Sequence, residues 1–281
     1  MIIIDGRKIR DEILEQLQEE IKNLQFVPVF CDVLVGADPA SEQYVRMKNK
    51  TAEKIGIETL PASFSESITT EALVAEIEKL NTYPHISGLI VQLPLPEHID
   101  EKKVLDAIDP TIDVDCIGKE NSELFYAGKP GLAYPTALAV MEILNRTVSD
   151  LPSKKIAIIG KGNLVGKPVA TLLINRNIVP IVIDRSVADI GTITREADIL
   201  ISAAGKGGLV HGDMVKDGAV VIDAGTSESY GSIVGDVVFE EVKERARALS
   251  PVPGGVGPLT VAMLFRNVVE VAKRRAKHNT Q

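Results

Sequence analysis

The stretch KIAIIGKGNLVGKP, residues 155–168, carries an apolar run into a glycine-rich turn and then to a proline, a residue tolerated in a helix only in its first turn. Lys155 to Ile159 predicts a short buried strand, the apolar segment after the glycines a helix, and Val179 to Ile183 a second strand. Strand, glycine loop, helix and strand form a dinucleotide-binding unit. Backbone N–H groups at the helix N-terminus attract a pyrophosphate, and glycine lets the chain approach it. Gly160, Gly162 and Gly166 are spaced one residue off the usual fingerprint, and it is their place in a βαβ unit that marks a dinucleotide site. Further strands are expected at Asp198 to Ser202 and Ala219 to Asp223.

The N-terminal half has the same rhythm. Ile9, Ile13, Leu14, Leu17, Ile21 and Leu24 form one apolar helical stripe, and Val27 to Val35 predicts a buried strand. Asp38-Pro39 supplies an N-cap and first-turn proline for a helix to Ile55. A strand at Ile57 to Leu60, a helix at Glu71 to Leu80 and a strand at Ser87 to Gln92 follow. Residues 109–135 read as loop-rich, with a helix after them to Asn145. Strands alternating with helices give an α/β fold with parallel sheets and ligands beyond the strand C-termini. Two domains are expected: residues 1–147, rejoined by a C-terminal helix over 259–281, and a Rossmann-type domain over 148–258.

A second loop, SPVPGGVGPLT at 250–260, is fixed by Pro251, Pro253 and Pro258 and freed by Gly254, Gly255 and Gly257. It suits a rigid loop that closes on a ligand.

The chain has 281 residues, 45% hydrophobic and 25% charged, with a formal net charge of −8. That is the composition of a globular protein, and the acidic balance disfavours nonspecific nucleic-acid binding. No stretch approaches the roughly 20 apolar residues of a membrane helix, so no membrane partner is expected. The two cysteines and four histidines show no metal-ligand spacing. With neither a disulfide framework nor a leader-like N-terminus, a reducing cytoplasm is expected.

Ser41, Tyr44 and Lys48 fall at i, i+3 and i+7 on one helix face. By spacing alone this is the pattern of a solvated face. If desolvated, Lys48 could exchange protons near neutral pH, with Tyr44 offering a ring for stacking. Gln92 ends a strand, where its amide could orient an amine. Asp113 and Asp115 flank Val114, and in an extended chain both carboxylates face one side. They read equally as loop caps or as acceptors for an aminopyrimidine-like ring.

These segments together resemble the FolD family, bifunctional methylenetetrahydrofolate dehydrogenases/methenyltetrahydrofolate cyclohydrolases. The matching stretches are VGADPASEQYVRMK at 35–48, GLIVQLPLP at 88–96, DVD at 113–115, VGKP at 165–168, KDGAVVIDAG at 216–225, GDV at 235–237 and PVPGGVGP at 251–258. The resemblance implies an N-terminal catalytic domain and a Rossmann domain binding NADP or NAD, with a tetrahydrofolate derivative as substrate. It implies that Lys48 handles protons in cyclohydrolysis, Gln92 orients it, Tyr44 stacks on the folate and Asp115 holds the pterin. Ser41, Pro253, Gly254 and Gly255 complete the implied folate contacts. The implied cofactor contacts are Gly160, Lys161, Gly162, Asn163, Val165, Gly166, Asp184, Arg185, Ser186, Ala204, Gly205 and Thr226. A homodimer serving purine biosynthesis, without a metal, belongs to the same expectation.

Four stretches depart from the family pattern, one of them Asp184-Arg185-Ser186, which replaces a frequent His-Ser or His-Arg pair. Lys161-Gly162 stands where Arg-Ser is common, Cys116-Ile117 where a glycine and an aromatic are common, and Tyr134-Pro135-Thr136-Ala137 in place of Pro-Cys-Thr-Pro. Asp184 favours a ribose 2′-OH, while Lys161 and Arg185 could clasp a 2′-phosphate; the balance favours NADP. The competing readings are a dehydrogenase for another small substrate and a noncatalytic binding protein.

Overall fold

Val29–Val35, the first long strand, is buried at every position, as expected of a central parallel strand covered on both faces. In chain order, the computed structural model shows β1 (Ile2–Ile3), α1 (Gly6–Lys22), β2 (Val29–Val35), α2 (Pro39–Ile55), β3 (Glu58–Phe64), α3 (Thr70–Asn81), β4 (Ile86–Val91), α4 (Glu101–Asp106), α5 (Lys119–Tyr126) and α6 (Pro135–Thr147). Then come β5 (Ile156–Ile159), α7 (Gly166–Ile174), β6 (Ile181–Ile183), α8 (Gly191–Thr194), β7 (Ile199–Ser202), β8 (Val220–Asp223), β9 (Ser227–Ser229), β10 (Ser232–Val234), α9 (Phe239–Val242), β11 (Ala248–Leu249) and α10 (Val256–His278). The structure describes residues 1–229 and 232–278.

The chain divides into two compact units, one of Met1–Asp11 with Thr136–Met263 and the other of Glu12–Pro135 with Leu264–Gln281. These limits differ from the expected break after residue 147 and return at 259. The extreme N-terminus joins the later unit because β1 pairs in parallel with β11, Ile2 opposite Ala248.

In the unit built on Glu12–Pro135, β3, β2 and β4 form a parallel sheet with β2 in the middle. Helix α2 begins where the sequence predicts: the Asp38 side chain accepts the Ser41 backbone N–H, Pro39 occupies the first turn, and Gly56 ends the helix at φ 91°. The rings of Phe30 and Phe265 meet edge to face at 5.3 Å. Gly88 is pressed so closely on Val114 and Val268 that an added Cβ would lie 2.7 Å from Val268.

In the other unit, six parallel strands run in the order β1-β11-β8-β7-β5-β6. From β5 the chain goes to β6 on one side and then to β7 on the other, so the strand order reverses between β5 and β7. That switch point is where open α/β sheets bind ligands.

Several element expectations are corrected. The supposed loop from 109 to 135 contains α5, and Val179 and Pro180 precede the short β6. Helix α10 starts at Val256, three residues before the expected 259, because Gly257 and Pro258 sit in its first turn, where proline's missing N–H breaks no helical bond. Residues 279–281 of the expected helix lie outside the described residues.

Candidate active site

Lys48 enters from the third turn of α2, and its side chain is 3% exposed. Its Nζ donates to Gln92 Oε1 at 2.9 Å and lies 2.7 Å from Asp32 Oδ2. The Tyr44 ring, one helical turn earlier, has its centroid 4.6 Å from the same nitrogen. Gln92 is held just beyond β4 by its backbone N–H, which donates to Val33, and its Nε2 donates to the Leu93 carbonyl. Those bonds leave Oε1 for the lysine, which assigns the amide's orientation.

The predicted trio of Tyr44, Lys48 and Gln92 therefore meets at one point. Asp32, absent from the sequence reading, completes it. An aspartate buried without a partner is costly, so the charge inside VFCDVLV was the signal that something faces it. Burial pushes the Asp32 carboxyl upward, and Lys48 pulls it back by charge and hydrogen bonding. Burial also raises the Tyr44 phenol to about 12, helped by Asp115 and Asp32.

Asp113 forms an isolated bridge with Leu89 and Asp115 lies in the turn that follows, so the two are not the extended pair expected. Asp113 is the loop cap. It is buried and accepts the Gly118 backbone N–H at 2.9 Å and Asn121 Nδ2 at 3.3 Å. Asp115 faces the charged cluster. Burial raises its carboxyl to about 7, Lys48 opposes that rise, and Asp113 and Asp32 add to it. Cys116, at φ 62°, occupies a left-handed backbone position where glycine is the easy choice, and its Sγ contacts the Leu132 carbonyl at 3.5 Å. Tyr134 is buried against Phe125, with its hydroxyl 2.9 Å from Ser122 Oγ. Ser41 serves the Asp38 cap through its backbone and side chain.

The raised carboxyls carry a stability signature. Asp115 at about 7 and Asp223 at about 6 hold protons in the native state that the unfolded chain has released above its ordinary carboxylate range. Through these two groups the stability of the ligand-free protein therefore falls as pH rises from about 4 to about 7. Calorimetry is expected to show a lower Tm at pH 8 than at pH 5. Asp115→Asn should remove part of that difference, on the order of 2 kcal/mol.

In the other unit, Gly160 ends β5 at φ 96°, and a Cβ there would lie 2.4 Å from the Ala203 carbonyl oxygen beyond β7. Gly166 opens α7, where a Cβ would lie 2.0 Å from the Gly160 carbonyl oxygen. The turn is thus closed on its protein side. On the remaining side, a Cβ on Gly162 would meet no atom within 4 Å. A bare backbone at the N-terminus of α7 and at the sheet's switch point fits a dinucleotide pyrophosphate. Asp184, just past β6, accepts Ser186 N and Oγ and pairs with Lys161 Nζ at 2.5 Å, which holds its carboxyl well below the usual range. Arg185 is exposed.

Two aspartates missed by the sequence reading shape the neighbouring loops. Asp236 accepts Ser202 Oγ and the backbone N–H groups of Ala204 and Lys206, each at 2.7 Å. Asp223 accepts the N–H groups of Gly225, Asp236 and Val237. These bonds set the backbone of Ala204 and Gly205 and the path leading to Thr226. In the Pro253, Gly254, Gly255 loop, the Gly254 carbonyl accepts the Gly6 N–H at 2.9 Å. A Cβ on Gly6 would lie 1.7 Å from the Gly255 oxygen. Among the described residues no group of three His, Cys, Asp or Glu side chains could hold a metal ion, and no helix is long and apolar enough to cross a membrane.

Comparison with known proteins agrees along the chain. Residues 4–115 match the family described as tetrahydrofolate dehydrogenase/cyclohydrolase, catalytic domain, and residues 134–276 match its NAD(P)-binding domain. A protein of Halothermothrix orenii named bifunctional protein FolD is 46% identical over 276 residues, covering 96% of this chain and 98% of that one. The structure of the bifunctional enzyme FolD, methylenetetrahydrofolate dehydrogenase/cyclohydrolase, from Campylobacter jejuni superposes with a TM-score of 0.94 at 40% identity, covering 98% of this chain and 99% of that one. The Trypanosoma brucei enzyme, solved with NADP and an inhibitor, gives a TM-score of 0.91 at 36% identity, covering 98% of each chain.

Proposed function

This chain belongs to the tetrahydrofolate dehydrogenase/cyclohydrolase family, and from that premise we propose that it oxidises 5,10-methylenetetrahydrofolate and hydrolyses the methenyl product to 10-formyltetrahydrofolate. The observation that carries the reading is the buried Lys48 amine held between Gln92 and Asp32 beneath the Tyr44 ring. A placed, water-shielded amine is what the hydrolytic step requires and what a noncatalytic folate-binding protein has no need to bury.

When bound, NADP or NAD accepts the hydride of the oxidation through its nicotinamide. The residues that would hold it are the Gly160–Gly166 turn, Asp184, Arg185, Ser186, Ala204, Gly205 and Thr226. Oxidation yields a methenyl cation shared by N5 and N10, a change driven by the nitrogen lone pairs and needing little acid–base help. Binding and alignment are the chain's contribution to that step. Hydrolysis is different, because water must lose a proton as it attacks the methenyl carbon and N5 must gain one as the ring opens. Lys48 moves those protons, Gln92 directs its amine, Tyr44 stacks on the folate, and Asp115 accepts hydrogen bonds from the aminopyrimidine.

Purified protein given 5,10-methylenetetrahydrofolate with NADP or NAD should form the 10-formyl product above an enzyme-free control. Methenyl product alone would remove the hydrolytic half of the reading; neither product would remove both.

Preference between the cofactors turns on Asp184. Its carboxylate engages Lys161 and would repel a 2′-phosphate, so Asp184→Ser frees a cation and removes an opposing charge together. The ratio of kcat/KM for NADP to that for NAD is expected to rise about tenfold. An unchanged ratio would place the discrimination elsewhere.

A homodimer fits the exposed apolar residues Val179, Ile181 and Val182 at the outer strand β6, and sedimentation measures it directly. A cytoplasmic role in supplying formyl groups for purine biosynthesis completes the proposal.

A further inference from the structure

Asp32 has no counterpart among the residues anticipated from the sequence, yet it makes the closest charged contact of Lys48. Its side chain is 1% exposed and its Oδ2 lies 2.7 Å from Nζ. The approach is an ion contact by distance, and neither Oδ1 nor Oδ2 has a hydrogen-bond partner by geometry among the described residues. Position on β2 explains the pairing. Asp32 lies opposite Pro61 of β3 and Ile90 of β4, so neither neighbouring strand offers a side chain able to neutralise it. Among the described residues only the lysine arriving from α2 does so.

We propose that Asp32 is a positioning residue acting through Lys48: its buried carboxylate orients the amine and takes up the proton that Lys48 draws from the attacking water. The inference rests on the hydrolytic function proposed above. A neutral lysine amine has two N–H bonds and one lone pair. With Gln92 Oε1 and Asp32 Oδ2 both available as acceptors, the two N–H bonds are engaged and the lone pair is left for the water.

The step balances without a further reactant. In the form that meets the water the pair is carboxylate and neutral amine, the lysine having released one proton to solvent. As the water oxygen bonds to the methenyl carbon, one O–H bond breaks. The lysine lone pair takes its proton and passes one on to Asp32, so the pair becomes carboxylic acid and amine, while the methenyl cation becomes a neutral hydrated intermediate. The carbon–N5 bond then breaks as the new hydroxyl loses its proton to form the formyl carbonyl and N5 gains one. The pair returns its extra proton to solvent, so each turnover releases one proton.

The titratable groups around the pair are few. Tyr44 faces it from α2, Asp115 from the turn after the Leu89–Asp113 bridge, and Cys31 adjoins it on β2 with its thiol pushed by burial to about 12. Of these, Asp115 is the group near neutrality, so the Asp115→Asn background separates its titration from that of the pair.

Two measurements test the proposal. In protein labelled with 13C-aspartate, the Asp32 carboxyl signal, assigned by its loss in Asp32→Asn, should titrate at least about one pH unit higher in Lys48→Met than in the wild type. An unmoved midpoint overturns the coupling whether or not the protein turns over folate. In steady-state assays, Asp32→Asn should lower kcat for methenyl hydrolysis at least about tenfold. It should also displace the acid limb of that pH profile while leaving dinucleotide-dependent oxidation near the wild-type rate. Equal loss of both activities with the limb unmoved would mean a purely structural role. Should Asp32→Asn fail to fold, Asp32→Asn/Lys48→Met leaves no uncompensated buried charge. It should then hydrolyse at the rate of Lys48→Met alone, and a further loss overturns the proposal. A wild-type protein without hydrolysis would refute the proposed function, while the titration still decides the pairing.

Discussion

Lys48→Met is expected to cut methenyl hydrolysis by about 10²–10⁴-fold while hydride transfer stays within about threefold. The asymmetry follows from the chemistry: forming the methenyl cation needs no proton carrier, whereas adding water to it does. Methionine is unbranched and adaptable, so it can follow the path of the lysine stem through the same packed site. Removing the ammonium leaves Asp32 buried alone, and burial already pushes that carboxyl toward its neutral form. Some loss of stability is therefore expected. Hydride transfer, measured on the same preparation, reports whether the fold survives. Equal losses in both activities would remove Lys48 from the proton-transfer role.

Gly166→Ala should produce the mirror pattern. The new Cβ would lie 2.0 Å from the Gly160 carbonyl oxygen and 2.8 Å from its carbon, backbone atoms that cannot rotate aside. The turn must open, and the N–H groups that would meet a pyrophosphate move with it. Dinucleotide affinity is expected to fall about 100-fold, equivalent to about 2.7 kcal/mol. Hydrolysis of supplied methenyltetrahydrofolate, which uses no dinucleotide, should persist. Fluorescence titration with the reduced cofactor measures the affinity, and a change below about threefold would mean that the turn does not hold the pyrophosphate. Gly162→Ala is the companion variant. Its Cβ meets no protein atom within 4 Å, so stability should be unchanged and any loss of affinity reports contact with the ligand.

The two substitutions divide the bifunctional reading into separately measurable halves. One removes the proposed proton carrier from the unit built on Glu12–Pro135; the other distorts the proposed phosphate cradle in the unit built on Thr136–Met263.

Much of this was written locally. The apolar run into Gly160, the Asp38 cap with Pro39, and the buried strands β2 and β4 follow from periodicity and backbone chemistry within a few residues, and the structure has them where the sequence places them. Tyr44 and Lys48 share a helix face for the same local reason. Two-residue strands carry no period to read, so β1 and β11 were not visible, although the Ile2–Ala248 pairing assigns the N-terminus to its unit. Asp113 and Asp115 look alike in sequence. Only the turn around them makes one a loop cap and raises the other to about 7. Asp32 is the sharpest instance: inside VFCDVLV it is one polar residue in an apolar strand, and nothing within seven residues of it neutralises its charge. By itself the sequence determined the helices, the long strands and the glycine turn, because hydrogen bonding and side-chain period are set by near neighbours. Tertiary structure alone decided that Asp32, Lys48 and Gln92 meet, because a charge's partner is chosen by sheet register and helix packing between residues 16 and 44 positions away from Lys48.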